Sequence, residues 1–311
     1  MELDEIKKRF QTKRDDLSIY TINIYISCIK KLLELMNADS VSVFLTNPDE
    51  VIKTLEKHYD NFNSRKTKLG AVLSYMNLLK KTKALENIKS KYLTKCEEYN
   101  NAIKNKLQTH EKNEKELESI GTTEDYEKLE SKLFDALPKK YNDINDYFKI
   151  RDYVIFKLYQ ALPSRLDFAD TRLIYNTDDM DNEDDNYLVL NKKDKTVKYH
   201  LNNYKTSKVY GKKILNIDSK LYNLLIEYKK VLNKFSNSNY LFLNQTGQKM
   251  TRNYLSKIYK KIGQQNIGKK ITVSGNRHKA VSDLIPIEKM RELSNRMGHD
   301  ITEAVNVYSK T

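Results

Sequence analysis

The sequence contains no tryptophan and only two cysteines, Cys28 and Cys96. Their positions provide neither a disulfide framework nor a four-ligand zinc site, so the chain is expected in a reducing, intracellular compartment, the cytoplasm or nucleus of a host cell. No run of about 18 uninterrupted apolar residues occurs, which excludes a hydropathy-evident spanning helix and argues against a membrane partner. The opening stretch MELDEIKKRFQTKRDD is charged where a secretory signal would be apolar. The missing tryptophan, beside abundant lysine, asparagine and tyrosine, matches an AT-rich coding bias and excludes no chemistry.

Positive charge is what the chain has in excess. Lys plus Arg number 56 against 42 Asp plus Glu, a formal charge of +14 over 311 residues. That balance favours a polyanionic partner without saying which one. The length suits two domains of roughly 100 to 200 residues each.

From Ser18, SIYTINIYISCIKKLLELM places Ile22, Tyr25, Ile26, Ile29, Leu32, Leu33 and Met36 at steps of three and four, predicting a helix with one buried face and Ser18 as its cap. A second such run, SRKTKLGAVLSYMNLLKK, aligns Leu69, Val72, Leu73, Met76 and Leu79, with Arg65, Lys66 and Lys68 in its first turn. Cations there oppose the helix dipole, which makes sense beside a phosphate backbone; a merely solvated basic turn is the alternative. Residues 89–121 are rich in charge and poor in apolar spacing, the pattern of an exposed helix or linker between a helical domain at 1–88 and a second domain at 122–311. Thr122 with Asp125 predicts a capping box where the second domain opens.

After the helical pattern of YFKIRDYVIFKLYQAL the period changes. NYLVL, TVKYHLN and KKILNI read as a small antiparallel sheet, and the remainder reads as helix. The fold class expected is therefore mainly α with a small antiparallel β-sheet. The acidic run NTDDMDNEDDN holds six carboxylates but lacks the glycine and terminal glutamate of an EF-hand loop, so no metal site is assigned to it.

In the closing stretch, IEKMRELSNRMGHDITEAVNVYSK, Gly298 suits the left-handed position after a helix, and Asp300 with Glu303 suits a capping pair for the next. His299 then lies at a helix junction. Tyr308 shares a face with Ile301, Ala304 and Val305, as an ordinary core tyrosine would. Yet Gly298-His299 followed by Tyr308 resembles the carboxy-terminal motif of the tyrosine recombinase (phage integrase) family. Further motifs of that family occur in order: Arg165 in ALPSRLDFADTR, Lys205 in LNNYKTSKVYG between two predicted strands, and Arg277 in TVSGNRHKAVSDL. The motifs fall within 122–311, and the resemblance extends loosely to the amino-terminal helices, which look like the family's helical DNA core-binding domain.

Two departures stand out. Ser274 occupies the position of the histidine in the family's His-x-x-Arg element; a serine can donate a hydrogen bond to a phosphate oxygen but cannot do acid-base work near neutrality. His278, adjacent to Arg277, matches a residue that commonly follows the arginine and does not replace the missing histidine. The acid near the first arginine comes two positions later, at Asp167, where the commoner pattern has three; this variant resembles recombinases of DNA viruses and mobile elements.

The resemblance implies an α+β catalytic domain and a site-specific recombinase, an integrase, that cleaves and rejoins double-stranded DNA without a cofactor. Tyr308 would attack the scissile phosphate to leave a 3′-phosphotyrosyl intermediate and a free 5′-hydroxyl. Arg165 and Arg277 would bind nonbridging oxygens, Lys205 would protonate the 5′-oxygen with Lys208 in reserve, and His299 would hold an oxygen or assist the phenol's proton. Eight helical residues climb roughly 12 Å, so the phenol must reach back toward His299, move, or act on a neighbouring subunit. Only Ser309, Lys310 and Thr311 follow Tyr308, so a tail is not expected to bridge protomers, and a dimer or tetramer on DNA would assemble through other surfaces. Two basic lobes closing on a duplex would gain affinity from released counterions. A type IB topoisomerase shares these roles but, in compact viral forms, carries a strand-rich amino-terminal domain; a DNA-binding protein of the same fold without activity is the other alternative.

Overall fold

The computed structural model describes residues 2–108, 118–283, 292 and 294–298. It divides into two compact units, Met1–Thr109 and His110–Thr311.

The first unit is helical throughout its described residues: α1 (Glu2–Lys13), α2 (Ile19–Met36), α3 (Val43–Thr46), α4 (Pro48–His58), α5 (Phe62–Met76) and α6 (Lys83–Gln108). The Ser18 hydroxyl accepts the Thr21 N–H to start α2, and Asn37, left-handed at φ 48°, ends it. Ile22, Ile29 and Leu32 of α2 pack with Leu69, Val72 and Met76 of α5 in one core.

Helix α6 corrects the expectation of an exposed segment beginning near residue 89. Leu85, Tyr92 and Tyr99 recur every seven residues, two turns apart, and all three are buried in the amino-terminal core. The Tyr92 hydroxyl donates to the Phe44 carbonyl at 2.8 Å, and that of Tyr99 to Glu56 at 3.2 Å. A tyrosine can bury its ring and still satisfy its hydroxyl, so two of them form a core stripe inside a segment whose charge count looks solvated.

The second unit opens at α7 (Thr123–Asp135), with both hydrogen bonds of the Thr122–Asp125 capping box formed. Helix α8 (Ile144–Ala161) follows, capped by Asp143 and buried along Tyr147, Ile150, Val154, Leu158 and Tyr159. A 3-10 turn, Leu166–Asp170, leads into a four-stranded sheet in the order β1 (Thr171–Ile174), β2 (Asn186–Asn191), β3 (Thr196–Leu201), β4 (Lys213–Ile217). The short helix α9 (Ser207–Tyr210) sits in the β3–β4 connection. Helices α10 (Tyr222–Phe235), α11 (Arg252–Ile267) and α12 (Val273–Ser282) follow.

The sheet is mixed rather than antiparallel, because β1 pairs parallel to β2, Thr171 opposite Asn186. Only β2–β3 and β3–β4 are antiparallel. A parallel neighbour needs a crossover connection, and the acidic run supplies it. Arg172 of β1 pins that run by binding Asp181 and Asp185, each at 2.9 Å, while Glu183 pairs with Lys212 at 3.0 Å. The protein is mainly α, a helical amino-terminal unit followed by an α+β unit. No helix among the described residues is long and apolar enough to cross a membrane.

Candidate active site

The site begins where α8 stops. Leu162 turns extended, Pro163 cannot continue a helix, and Arg165 arrives at the cap of the 3-10 turn, half-buried. Tyr159, in the last turn of α8, anchors this backbone. Its ring is fully buried, edge-on to Phe168 and Tyr259 with centroids 5.2 Å away in each case. Its hydroxyl, held protonated far above the ordinary value by burial, donates to the Arg165 carbonyl at 3.1 Å. Its own carbonyl accepts from Nδ2 of Asn276, at 2.6 Å, on α12. One residue therefore braces both the turn that carries Arg165 and the helix that carries Arg277.

Asp167 is the electrostatic centre of this region. It is only 5% exposed, and burial pushes its carboxyl up, opposed by the guanidiniums of Arg252, Arg165 and Arg277 in that order. Arg252 binds Asp167 at 3.3 Å and Asp170 at 3.1 Å. Asp167 is thus not a surface carboxylate: it is buried, and the charges of three guanidiniums favour its ionised form. Sharing among them leaves positive charge for an external anion, and a planar guanidinium matches phosphate oxygens.

Arg252 is absent from the sequence-based site. Position 252 is remote in sequence from 167, but a signal exists: Thr251 caps α11, so Arg252 opens a helix against its dipole. The same argument singles out Arg65.

Helix α12 presents the rest of the arginine motif. Thr272 caps it by accepting the Gly275 N–H at 2.8 Å. Ser274 is exposed in the first turn, while Arg277 and His278 are buried.

Lys205 is exposed in the turn after β3, and Lys208 is exposed on α9. Tyr204 is buried and closes the loop by donating its hydroxyl to the Gly211 carbonyl at 2.8 Å. Thr206 donates its hydroxyl to the Gly298 carbonyl at 3.1 Å. Gly298 is left-handed at φ 71°, as its position after a helix predicts, and an added Cβ would lie 3.1 Å from the Tyr204 ring. Just ahead of it, Lys213 donates to the Asn295 carbonyl at 2.9 Å and the Arg296 guanidinium donates to the Ala161 carbonyl. The chain leading into His299 is therefore held between the end of α8 and the β3–β4 connection. His299 and Tyr308 themselves lie outside the described residues.

In the first unit the three basic residues of α5 have different surroundings. Arg65 donates to the carbonyls of Tyr59 and Glu56, the last turn of α4, and lies 5.2 Å from the Phe62 ring centroid. The unfavourable charge at the start of α5 is thus offset by the carbonyl end of α4. Lys68 stacks over Tyr59 at 3.9 Å, and Lys66 is exposed. Arg65→Ala is expected to lower stability by about 1–2 kcal/mol while leaving the salt dependence of DNA binding unchanged. Lys66→Ala should leave the melting temperature unchanged and reduce the slope of log affinity against log salt by roughly 1. Thermal melts and binding titrations at several salt concentrations check both.

The Phage integrase family matches residues 139–311, more than half of the chain. No protein of curated function matches. A crystal structure of XerA recombinase is similar at 14% identity, with a TM-score of 0.44, covering 100% of this chain and 94% of that one. The family match spans the Arg165 turn, the Lys205 connection, the Arg277 helix and the closing Gly298-His299 and Tyr308 positions, and on it the chain belongs to the phage integrase family of tyrosine recombinases.

Proposed function

We propose that the protein is a site-specific DNA recombinase that breaks and rejoins double-stranded DNA through a covalent 3′-phosphotyrosyl intermediate. The bracing of the Arg165 turn and the Arg277 helix by one residue, Tyr159, is the observation that supports this reading best. In the reaction, the Tyr308 oxygen forms a bond to phosphorus as the bond from phosphorus to the 5′-oxygen breaks. The phenol proton passes to His299 or to water, and the Lys205 ammonium gives a proton to the departing 5′-oxygen. Arg165 and Arg277 hold the nonbridging oxygens and bind them more strongly as charge accumulates, which lowers the barrier. Ser274, exposed one turn before Arg277, is suited to donate one further hydrogen bond to phosphate. The bond energy is retained for rejoining, and no cofactor enters.

Lys205 is favoured over Lys208 as the acid because Tyr204 and Thr206, on either side of it, both contact Gly298. The helical first unit fits a recombinase better than the strand-rich amino-terminal domain of compact type IB topoisomerases. A dimer or tetramer on DNA, and an origin in a virus or mobile element, belong to the same proposal.

Trapping tests it. A duplex nicked just beyond the cleavage site loses its short 5′-hydroxyl fragment and strands the covalent complex. Wild-type protein should accumulate an adduct that Tyr308→Phe does not form. Intact binding with no adduct would support the second reading, an inactive DNA-binding protein, which the serine at 274 favours.

A further inference from the structure

We infer that Thr206 is a positioning residue that tethers the general-acid connection to the Gly298 backbone, so that Lys205 is held within reach of the departing 5′-oxygen. This inference rests on the recombinase reading. Thr206 follows Lys205 directly, and Gly298 directly precedes His299, so the hydrogen bond from the Thr206 hydroxyl to the Gly298 carbonyl, 3.1 Å long, lies one peptide from each.

The contact is not isolated. The Tyr204 ring lies against Gly298, leaving 3.1 Å for any added Cβ. Lys213, where β4 begins, donates to the Asn295 carbonyl at 2.9 Å. Tyr204 also holds the loop closed through Gly211. The Thr206 carbonyl accepts from Val209 and Tyr210, so the backbone of Thr206 starts α9 while its side chain is left to Gly298. Lys205 itself is exposed, and a long ammonium side chain on a turn samples many rotamers; tethering its neighbour narrows that search. A general acid acts only within hydrogen-bond reach of the departing oxygen, so loss of the tether should appear at the protonation step.

The test uses the full-length protein on two nicked duplexes, one with the ordinary 5′-bridging oxygen and one with sulfur at that position. A thiolate departs without a proton, so the second substrate bypasses the general acid. Thr206→Val keeps the shape and removes the hydroxyl. Adduct formation by Thr206→Val is expected to fall about tenfold or more on the oxygen substrate and to stay within about twofold of wild type on the sulfur substrate. Thr206→Ser, which keeps the donor, should retain the wild-type rate on both. An equal loss on both substrates, or no loss on either, overturns the positioning role while leaving the recombinase reading intact. Absence of any wild-type adduct on both substrates overturns that reading and this inference with it.

Discussion

Arg277→Ala is expected to slow covalent-adduct formation by at least about a hundredfold to a thousandfold, the cost of removing one preorganised donor from a transition state that gains charge. Arg277 is 5% exposed on α12 and is one of three guanidiniums acting on Asp167. Its position is set by contacts that the substitution leaves in place, since Asn276 still donates to the Tyr159 carbonyl and Thr272 still caps the helix. DNA affinity should therefore fall far less than the rate, because phosphate contacts made elsewhere on a chain of formal charge +14 would be untouched. Arg277→Lys should restore little: an ammonium brings the charge without the planar pair of donors that phosphate oxygens engage. Single-turnover adduct formation on nicked duplex, measured beside a binding titration, separates the two effects. A variant that forms adduct within tenfold of wild type would remove Arg277 from the catalytic set.

Gly275→Ala is expected to cost about 3 kcal/mol or more, because overpacking of this severity cannot be absorbed locally. A Cβ built at position 275 would stand 2.0 Å from the Ser119 carbonyl oxygen, and that oxygen is already held by the Thr272 N–H at 3.1 Å. Both offending groups are backbone, so neither can swing aside as a flexible side chain would. The first turn of α12 must move, and Ser274 and Arg277 move with it. For a unit of this size the melting temperature should drop by roughly 6–12 °C, and a displacement near 1 Å would slow cleavage by about a hundredfold. The melt and the adduct assay report independently. A Gly275→Ala protein that melts and cleaves as wild type would mean that the approach of Ser119 to α12 is not tight.

Legibility in the sequence differed among these elements for identifiable reasons. The caps at Ser18 and Thr122 are local, each complete within four residues, and both form as the sequence implies. Strands β2, β3 and β4 carry their own β-branched or alternating pattern. Strand β1 is four residues long and follows a 3-10 turn, too short to show a period, so the parallel pairing it adds was not visible. The buried stripe of α6 was masked because tyrosine counts as half polar. At Arg65 the dipole argument identified a real anomaly, and the structure places the carbonyl end of α4 against that charge, a partner from another element that spacing along α5 does not show.

The sequence by itself determined the order of the motifs, the residue types on which the proposed chemistry draws, and the excess of positive charge. These are properties of single residues and of spacing along one helix or turn. Only the tertiary structure decided that Arg252 binds Asp167, that Tyr159 braces two elements at once, and that Thr206 meets Gly298. Each of those contacts joins groups from different elements or opposite ends of a loop. A buried charge or carbonyl takes whichever partner packing brings within about 3 Å, and that choice is made by the assembled core.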